Sequence, residues 1–149
     1  MEGDRLDGGL TRREAEYLKA LFNLISEKGS VGSLNIANSL SVSCATASET
    51  LKRLSEKGMV VREPWRGVRL TEMGFREVSR IIRNHRIFET YAYRVLSVSI
   101  DEACECARRV ELYLSDNIVD SMCKILRHPR KCPHNKDIPT GVLCCVGRR

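Results

Sequence analysis

The strongest constraint on this chain is the order of helical stripes and breaks in its N-terminal half. Leu18, Leu21, Phe22 and Ile25 recur at i, i+3, i+4 and i+7, the stripe of an amphipathic helix. Lys28-Gly29 closes that helix, glycine being the usual left-handed cap. Ser33 then caps a short helix carrying Leu34, Ile36, Ala37 and Leu40, and Ser41-Val42-Ser43 breaks it. A third helix runs from about Cys44 to Lys57, with Ala47, Leu51 and Leu54 inward, and Gly58 ends it. Met59 to Glu63 reads as a strand, Pro64-Trp65-Arg66-Gly67 as a turn, and Val68 to Leu70 as the returning strand. Helix, short helix, helix and hairpin is the order of a winged helix-turn-helix.

In that arrangement the third helix enters the major groove and turns its N-terminal residues to base edges. Here those are Ser43, Cys44, Ala45, Thr46, Ser48 and Glu49, small or hydrogen-bonding side chains that allow deep entry. Glu49 suits cytosine N4, and the Ala45 and Thr46 methyls suit thymine methyls. Lys52 and Arg53 one turn on, with Arg62, Arg66 and Arg69 of the hairpin, suit phosphates. The alternative is that these polar residues start a solvated helix and the arginines solvate a hairpin. The charge distribution favours DNA. Residues 52–86 carry 10 basic and 4 acidic side chains, whereas residues 87–123 carry 3 and 7. The net charge of +6 therefore gathers on the block that would face the polyanion, and in the tail.

Thr71-Glu72 starts a long helix to about Leu96, with an apolar face of Phe75, Val78, Ile82, Phe88, Ala92 and Leu96. His85 and Glu89 fall on that same face, at i and i+4. A carboxylate in an apolar stripe is costly unless paired or bound to a cation. The pair offers a nitrogen and an oxygen one turn apart. It either binds a divalent metal or closes on itself as a hydrogen bond. Ser99-Ile100-Asp101-Glu102 is a capping box. The helix it opens carries Cys104, Cys106, Arg108 and Glu111, and a further helix carries Ile118, Met122, Ile125 and Leu126 before Pro129. Cys104 and Glu111 are two turns apart, roughly 10 Å along the axis, so they do not share one ion. Lys131-Cys132-Pro133-His134 to Pro139 reads as an ordered turn. Cys123, Cys132 and His134 form either a metal site or a core thiol beside a turn. Cys144-Cys145 is a candidate fourth donor on an otherwise mobile basic tail.

The length of 149 residues suffices for one ordinary domain or two small ones. No run approaches the length of a membrane-spanning helix, and the acidic start lacks the apolar core of a secretory signal. The cytoplasm is the expected compartment. Seven cysteines there point to metal, redox chemistry or burial more than to disulfides. No phosphate-binding glycine loop, nucleophile elbow or paired-carboxylate constellation occurs, so an enzyme is not expected.

The order of motifs resembles the diphtheria-toxin-repressor and manganese-repressor family of metal-dependent transcriptional regulators, over roughly residues 11–139. The likeness rests on Glu16-Tyr17-Leu18, on Leu54-Ser55-Glu56-Lys57-Gly58-Met59-Val60, and on Leu70-Thr71-Glu72-Met73-Gly74. It continues in His85-Arg86-Ile87-Phe88-Glu89, Asp101-Glu102-Ala103-Cys104, Glu111 before Ser115-Asp116, and Cys132-Pro133-His134 with Ile138-Pro139. The resemblance implies a homodimer built on the second domain, two metal sites per subunit, and DNA binding that metal switches on. It implies metal ligands at His85, Glu89 and Cys104, a first-site carboxylate at Glu111 and a first-helix ligand at Glu16. Arg108 and Leu112 fall on first-site ligand positions, and neither side chain can bind a cation. The third, SH3-like domain of some members is not expected.

The expected fold is therefore mainly α. A winged helix-turn-helix over 1–71 precedes a helical dimerisation and metal-binding domain over 72–140 and a flexible basic tail over 141–149. The expected function is a metal-responsive, sequence-specific regulator of transcription, an iron- or manganese-dependent repressor of metal-homeostasis genes. Its cofactor is a divalent transition metal: Fe2+ first, with Mn2+ or Zn2+ as alternatives. Its partners are a second copy of the chain and a pseudo-palindromic double-stranded operator. The alternative is a regulator of the same fold that has lost metal control or senses oxidants through its cysteines.

Overall fold

The computed structural model describes residues 9–28, 31–141 and 144–145. The expectations for the N-terminal start, the Gly29 cap and tail residues 142–143 and 146–149 lie outside the described residues. Six helices and one hairpin follow in the order α1 (Arg12–Lys28), α2 (Ser33–Leu40), α3 (Cys44–Glu56), β1 (Val60–Glu63), β2 (Gly67–Leu70), α4 (Glu72–Val95), α5 (Ile100–Val110) and α6 (Asp116–Ile125). No described helix is long and apolar enough to cross a membrane.

The chain divides into two compact units after Val78, within α4. In the first, Leu18 and Leu21 of α1, Ile36 of α2 and Leu51 and Leu54 of α3 are fully buried. The cap of α2 is Gly32 and not Ser33: the Gly32 amide donates to Asn35 Oδ1 at 2.8 Å, leaving Ser33 as the first helical residue. Ser41 takes the left-handed conformation at φ 53° and ends α2. Ser43 caps α3 by accepting from the Thr46 amide. The two strands pair antiparallel with Val60 opposite Leu70, and Val31 adds a single bridge to Val68. That bridge explains Gly67, since a Cβ there would stand 2.4 Å from the Val31 carbonyl oxygen. The first turns of α4 belong to this unit. Gly74 lies directly on the Met59 carbonyl, and the Phe75 ring sits 5.9 Å from that of Phe22.

The second unit is built from the rest of α4 with α5 and α6. Its core gathers Ile87, Val119, Met122, Cys123 and Leu126, with Phe88, Tyr91, Leu114, Ile138, Cys144 and Cys145 packed against it. Buried Asn84 ties α4 to the end of α5, its amide donating to the Glu111 and Leu114 carbonyls at 3.0 and 3.2 Å. Several residues of the expected apolar stripes are exposed instead. Phe75 lies at 53%, Leu96 at 57%, Ile118 at 54% and Ile125 at 61%. Apolarity and spacing mark Leu96, Ile118 and Ile125 as a face to be covered, whereas Phe75 keeps part of its ring against Phe22.

Candidate metal centre and nucleic-acid interface

The long helix α4 aims His85 and Glu89 from successive turns, and α5 brings Cys104 to them. One ligand atom from each of these three residues lies within 4.8 Å of the others. His85 Nε2 stands 3.6 Å from Glu89 Oε2 and 3.6 Å from Cys104 Sγ. A nitrogen–oxygen separation of 3.6 Å is too long for a hydrogen bond. Both separations suit ligands of one ion, because bonds of about 2.1 Å to nitrogen and oxygen and about 2.3 Å to sulfur at a tetrahedral angle put nitrogen and oxygen about 3.4 Å apart and nitrogen and sulfur about 3.6 Å apart. The residues therefore fit a divalent transition metal, with one nitrogen, one oxygen and one sulfur converging.

Glu111, expected at the other site, stands outside the His85, Glu89 and Cys104 group. Its Oε2 lies 2.7 Å from His85 Nδ1, on the far side of the ring from Glu89 and Cys104. It fixes the ring and keeps the Nδ1 proton, so that Nε2 is the nitrogen that would give up its proton to a cation. Burial alone would lower the His85 pKa. The Glu111 and Glu89 carboxylates outweigh it and raise the pKa to about 9. Burial would raise the Glu89 pKa, but His85, the Cys132 thiol and His134 draw it down to about 2. Glu89 is 2% exposed and also accepts from His134 Nδ1 at 3.2 Å. A second donor group, Glu89, Cys132 and His134, thus shares that carboxylate. The turn that delivers it is ordered: Cys132 N–H donates to the Lys136 carbonyl, Asn135 N–H to Cys132, and Ile138 N–H to Arg130.

Sequence reasoning grouped Cys123 with Cys132 and His134. The structure instead gathers Cys123 with His128, Cys144 and Cys145, a group that includes a histidine the sequence reading passed over. The signal was available. The chain has three histidines, and each stands in one of the three donor groups of the described residues. Cys144 and Cys145 are half-buried rather than exposed on a tail. Arg108, 57% exposed, lies 3.8 Å from Glu105 and 3.9 Å from Cys104 Sγ, and Leu112 is buried with no donor to offer. Glu16 lies exposed on α1 in the first unit, 3.9 Å from Arg12.

The expected DNA-facing residues share the first unit's surface. Ser43, Ala45 and Glu49 are exposed at the start of α3, and Thr46 and Ser48 are half-buried. The Ser43 and Thr46 hydroxyls lie 2.8 Å apart, so Thr46 is preorganised by its neighbour. Arg53 donates to Glu49 at 3.0 Å, and Arg62 of β1 donates to Ser48 Oγ at 3.1 Å, linking wing and helix. Lys52 and Arg66 are exposed. Arg69 is already paired with Glu63, which weakens its expected phosphate role. Trp65, fully exposed at the hairpin tip with φ 66°, was not anticipated as a contact.

Comparison with known proteins agrees with both halves. Residues 9–68 match the model of the iron dependent repressor N-terminal DNA binding domain, and residues 71–140 that of the iron dependent repressor metal binding and dimerisation domain. An uncharacterised HTH-type transcriptional regulator of Aeropyrum pernix is 35% identical over 138 residues, covering 91% of this chain and 76% of the relative. The transcriptional regulator MntR of Escherichia coli O157:H7 is 33% identical over 123 residues, covering 81% of this chain and 79% of MntR. The structure of the manganese regulator SloR superimposes with a TM-score of 0.74 at 31% identity, over 85% of this chain and 59% of SloR. With both domains matched in order, the chain belongs to the iron-dependent repressor family of metal-dependent transcriptional regulators.

Proposed function

We propose that this protein is a metal-activated, sequence-specific repressor of metal-homeostasis genes, acting as a homodimer in the cytoplasm and not as an enzyme. The observation that carries the reading is the convergence of His85 Nε2, Glu89 and Cys104 in a chain that also presents a basic winged helix. His85, Glu89 and Cys104 hold the ion, Glu111 orients His85, and the Cys132–His134 turn supports Glu89. His85 of α4 would give up its Nε2 proton on binding a cation, and with Cys104 of α5 on the same ion the two helices would be held together. That link biases the protein toward the dimer geometry that fits two half-sites. The shift is bounded by the metal's differential affinity for the two states.

The donor set favours Fe2+ or Zn2+ over Mn2+, because thiolate is a softer ligand than manganese prefers. Arg108 and Leu112 remove the other site of the family, so this metal centre works without it, and Glu16 need not be a ligand. On DNA, Ser43, Ala45, Thr46, Ser48 and Glu49 read the bases of a pseudo-palindromic operator, while Lys52, Arg53, Arg62 and Arg66 hold phosphates. The exposed apolar residues of the second unit, such as Ile118 and Ile125, support a homodimer face. Titrating Fe2+, Zn2+ and Mn2+ into metal-free protein tests the site. His85→Ala and Cys104→Ala are expected to weaken binding, and unchanged affinities in both would remove the assignment.

A further inference from the structure

Cys123, His128, Cys144 and Cys145 bring four donor atoms within 4.8 Å of one another, separate from the His85 group. The chain builds this cluster deliberately. Cys123 is 1% exposed on α6, within the core of the second unit. Directly after α6, Arg127 and His128 adopt left-handed conformations at φ 60° and 57°. Non-glycine residues enter that region rarely, and two in succession are rarer still. The reversal lets the His128 amide donate to the Cys123 carbonyl at 2.8 Å and swings the ring back over α6. The chain then returns beside the same core with Cys144 and Cys145.

The distances are those of ligands around one ion. Nδ1 of His128 lies 3.5 Å from Cys123 Sγ, 3.5 Å from Cys144 Sγ and 3.6 Å from Cys145 Sγ. The Cys123 and Cys145 sulfurs are 3.8 Å apart. A ring nitrogen has one proton or one lone pair, so hydrogen bonding accounts for one of these three neighbours and not all. Tetrahedral zinc, with Zn–S of about 2.3 Å and Zn–N of about 2.0–2.1 Å, sets sulfur–sulfur edges of about 3.8 Å and sulfur–nitrogen edges of about 3.5 Å. All four measured separations match. We propose that Cys123, His128, Cys144 and Cys145 bind a structural zinc ion as a Cys3His site that fastens the C-terminal segment onto α6.

The surroundings suit the charge of such a centre. Three thiolates and one zinc ion leave one net negative charge. The Arg83 guanidinium, 6% exposed, interacts electrostatically with Cys123 and Cys145; it also pairs with Asp120 at 2.8 Å, whose carboxylate acts on Cys144 in the opposite sense, and its Nε has no hydrogen-bond partner among the described residues. Gly141 lets the chain run flat over that guanidinium, since a Cβ there would stand 2.8 Å from the Arg83 Cζ. Three soft donors also select zinc over manganese or magnesium.

The test uses the full chain, reduced and stripped of metal, then given zinc or cobalt(II). In protein carrying His85→Ala and Cys104→Ala together, one equivalent of zinc is expected to remain. Cobalt should give the intense thiolate charge-transfer band and the visible absorption of a tetrahedral ion. Cys145→Ser, folded by circular dichroism, should lose both, whereas His128→Cys should keep the ion and strengthen the charge-transfer band. Retention of the tetrahedral cobalt spectrum in Cys145→Ser would overturn the proposal. So would absence of zinc uptake in the His85→Ala, Cys104→Ala protein, or a Cys123–Cys145 disulfide in freshly isolated, unreduced chain. Loss of one of two zinc equivalents in the His85→Ala, Cys104→Ala protein, with the tetrahedral cobalt spectrum retained, would support it and place the lost ion at the regulatory site.

Discussion

Replacing Glu111 by glutamine separates a residue that orients a ligand from one that binds the metal. The Glu111 carboxylate sits 2.7 Å from His85 Nδ1, with side chains 5% and 17% exposed, so the bond is charge-assisted and poorly screened. Loss of such an outer-shell partner lowers metal affinity about 10–100-fold, or about 1.4–2.7 kcal/mol. The pH profile carries the sharper signature. Against the opposing effect of burial, Glu111 and Glu89 together hold the His85 pKa at about 9, so at neutral pH an incoming ion must expel a proton. The sign follows: below about pH 9 the proton competes, affinity climbs about tenfold per pH unit from this group, and above it the climb ends. In Glu111→Gln the proton leaves more easily. The climb should end at a lower pH and at a weaker final affinity, and the two profiles should converge toward acid. Competition with a chromophoric chelator, using Zn2+ across the pH range, reads both quantities. Two parallel profiles would show that Glu111 acts only on the fold, and identical profiles would show that it does not act on His85 at all.

Other outcomes follow from the same geometry. Lys52→Ala and Arg66→Ala should each reduce the salt slope of DNA binding by about 1, while Thr46→Ala and Glu49→Gln should change base preference by about 1–3 kcal/mol per contact, both read by fluorescence anisotropy on operator variants. Glu14, 3% exposed, accepts from the Thr11 amide and from Lys57 at 2.7 Å; burial would raise its pKa, but these partners hold it below the usual carboxylate value. Its contribution is therefore complete above the ordinary carboxylate pKa and disappears as pH falls through the folded value, so Glu14→Gln should flatten the acid limb of urea stability, and Lys57→Met should cost about 1–2 kcal/mol at neutral pH. Ile118→Glu with Ile125→Glu should shift sedimentation from dimer to monomer while leaving the helical circular dichroism intact.

Much of this protein is legible in its sequence because its helices carry clean stripes and clear stops. The stop at Lys28 and the span from Cys44 to Lys57 fix the end of α1 and both ends of α3 to within a residue, whereas the stripe from Leu18 leaves the start of α1 at Arg12 unmarked. His85 and Glu89 are visible as a polar pair on an apolar face, since helical spacing is a local property. What escapes is anything set by chain reversal. The reach of His128 to Cys123 depends on two left-handed residues after α6, and nothing in Arg127-His128 as residue types announces that conformation. His134 meets Glu89 across 45 residues, a pairing that only the packing of the Cys132 turn against α4 creates. The axial distance from Cys104 to Glu111 argued against a shared ion, yet the imidazole spans the gap, binding Glu111 through one nitrogen and facing Cys104 with the other. Ile118 and Ile125 show the converse limit, because an apolar stripe looks the same whether its own chain or another covers it.

The most direct test of metal-activated repression is operator affinity with and without metal. Wild-type protein, His85→Ala and Cys104→Ala would each be titrated onto a palindromic operator selected by the protein itself, in Fe2+ without oxygen, in Zn2+, and in excess chelator. The wild type should bind tightly only with metal, and both variants should stay at the weak, metal-independent level in every buffer. Equal operator affinity for the wild type in metal and in chelator, matched by both variants, would contradict metal-activated repression.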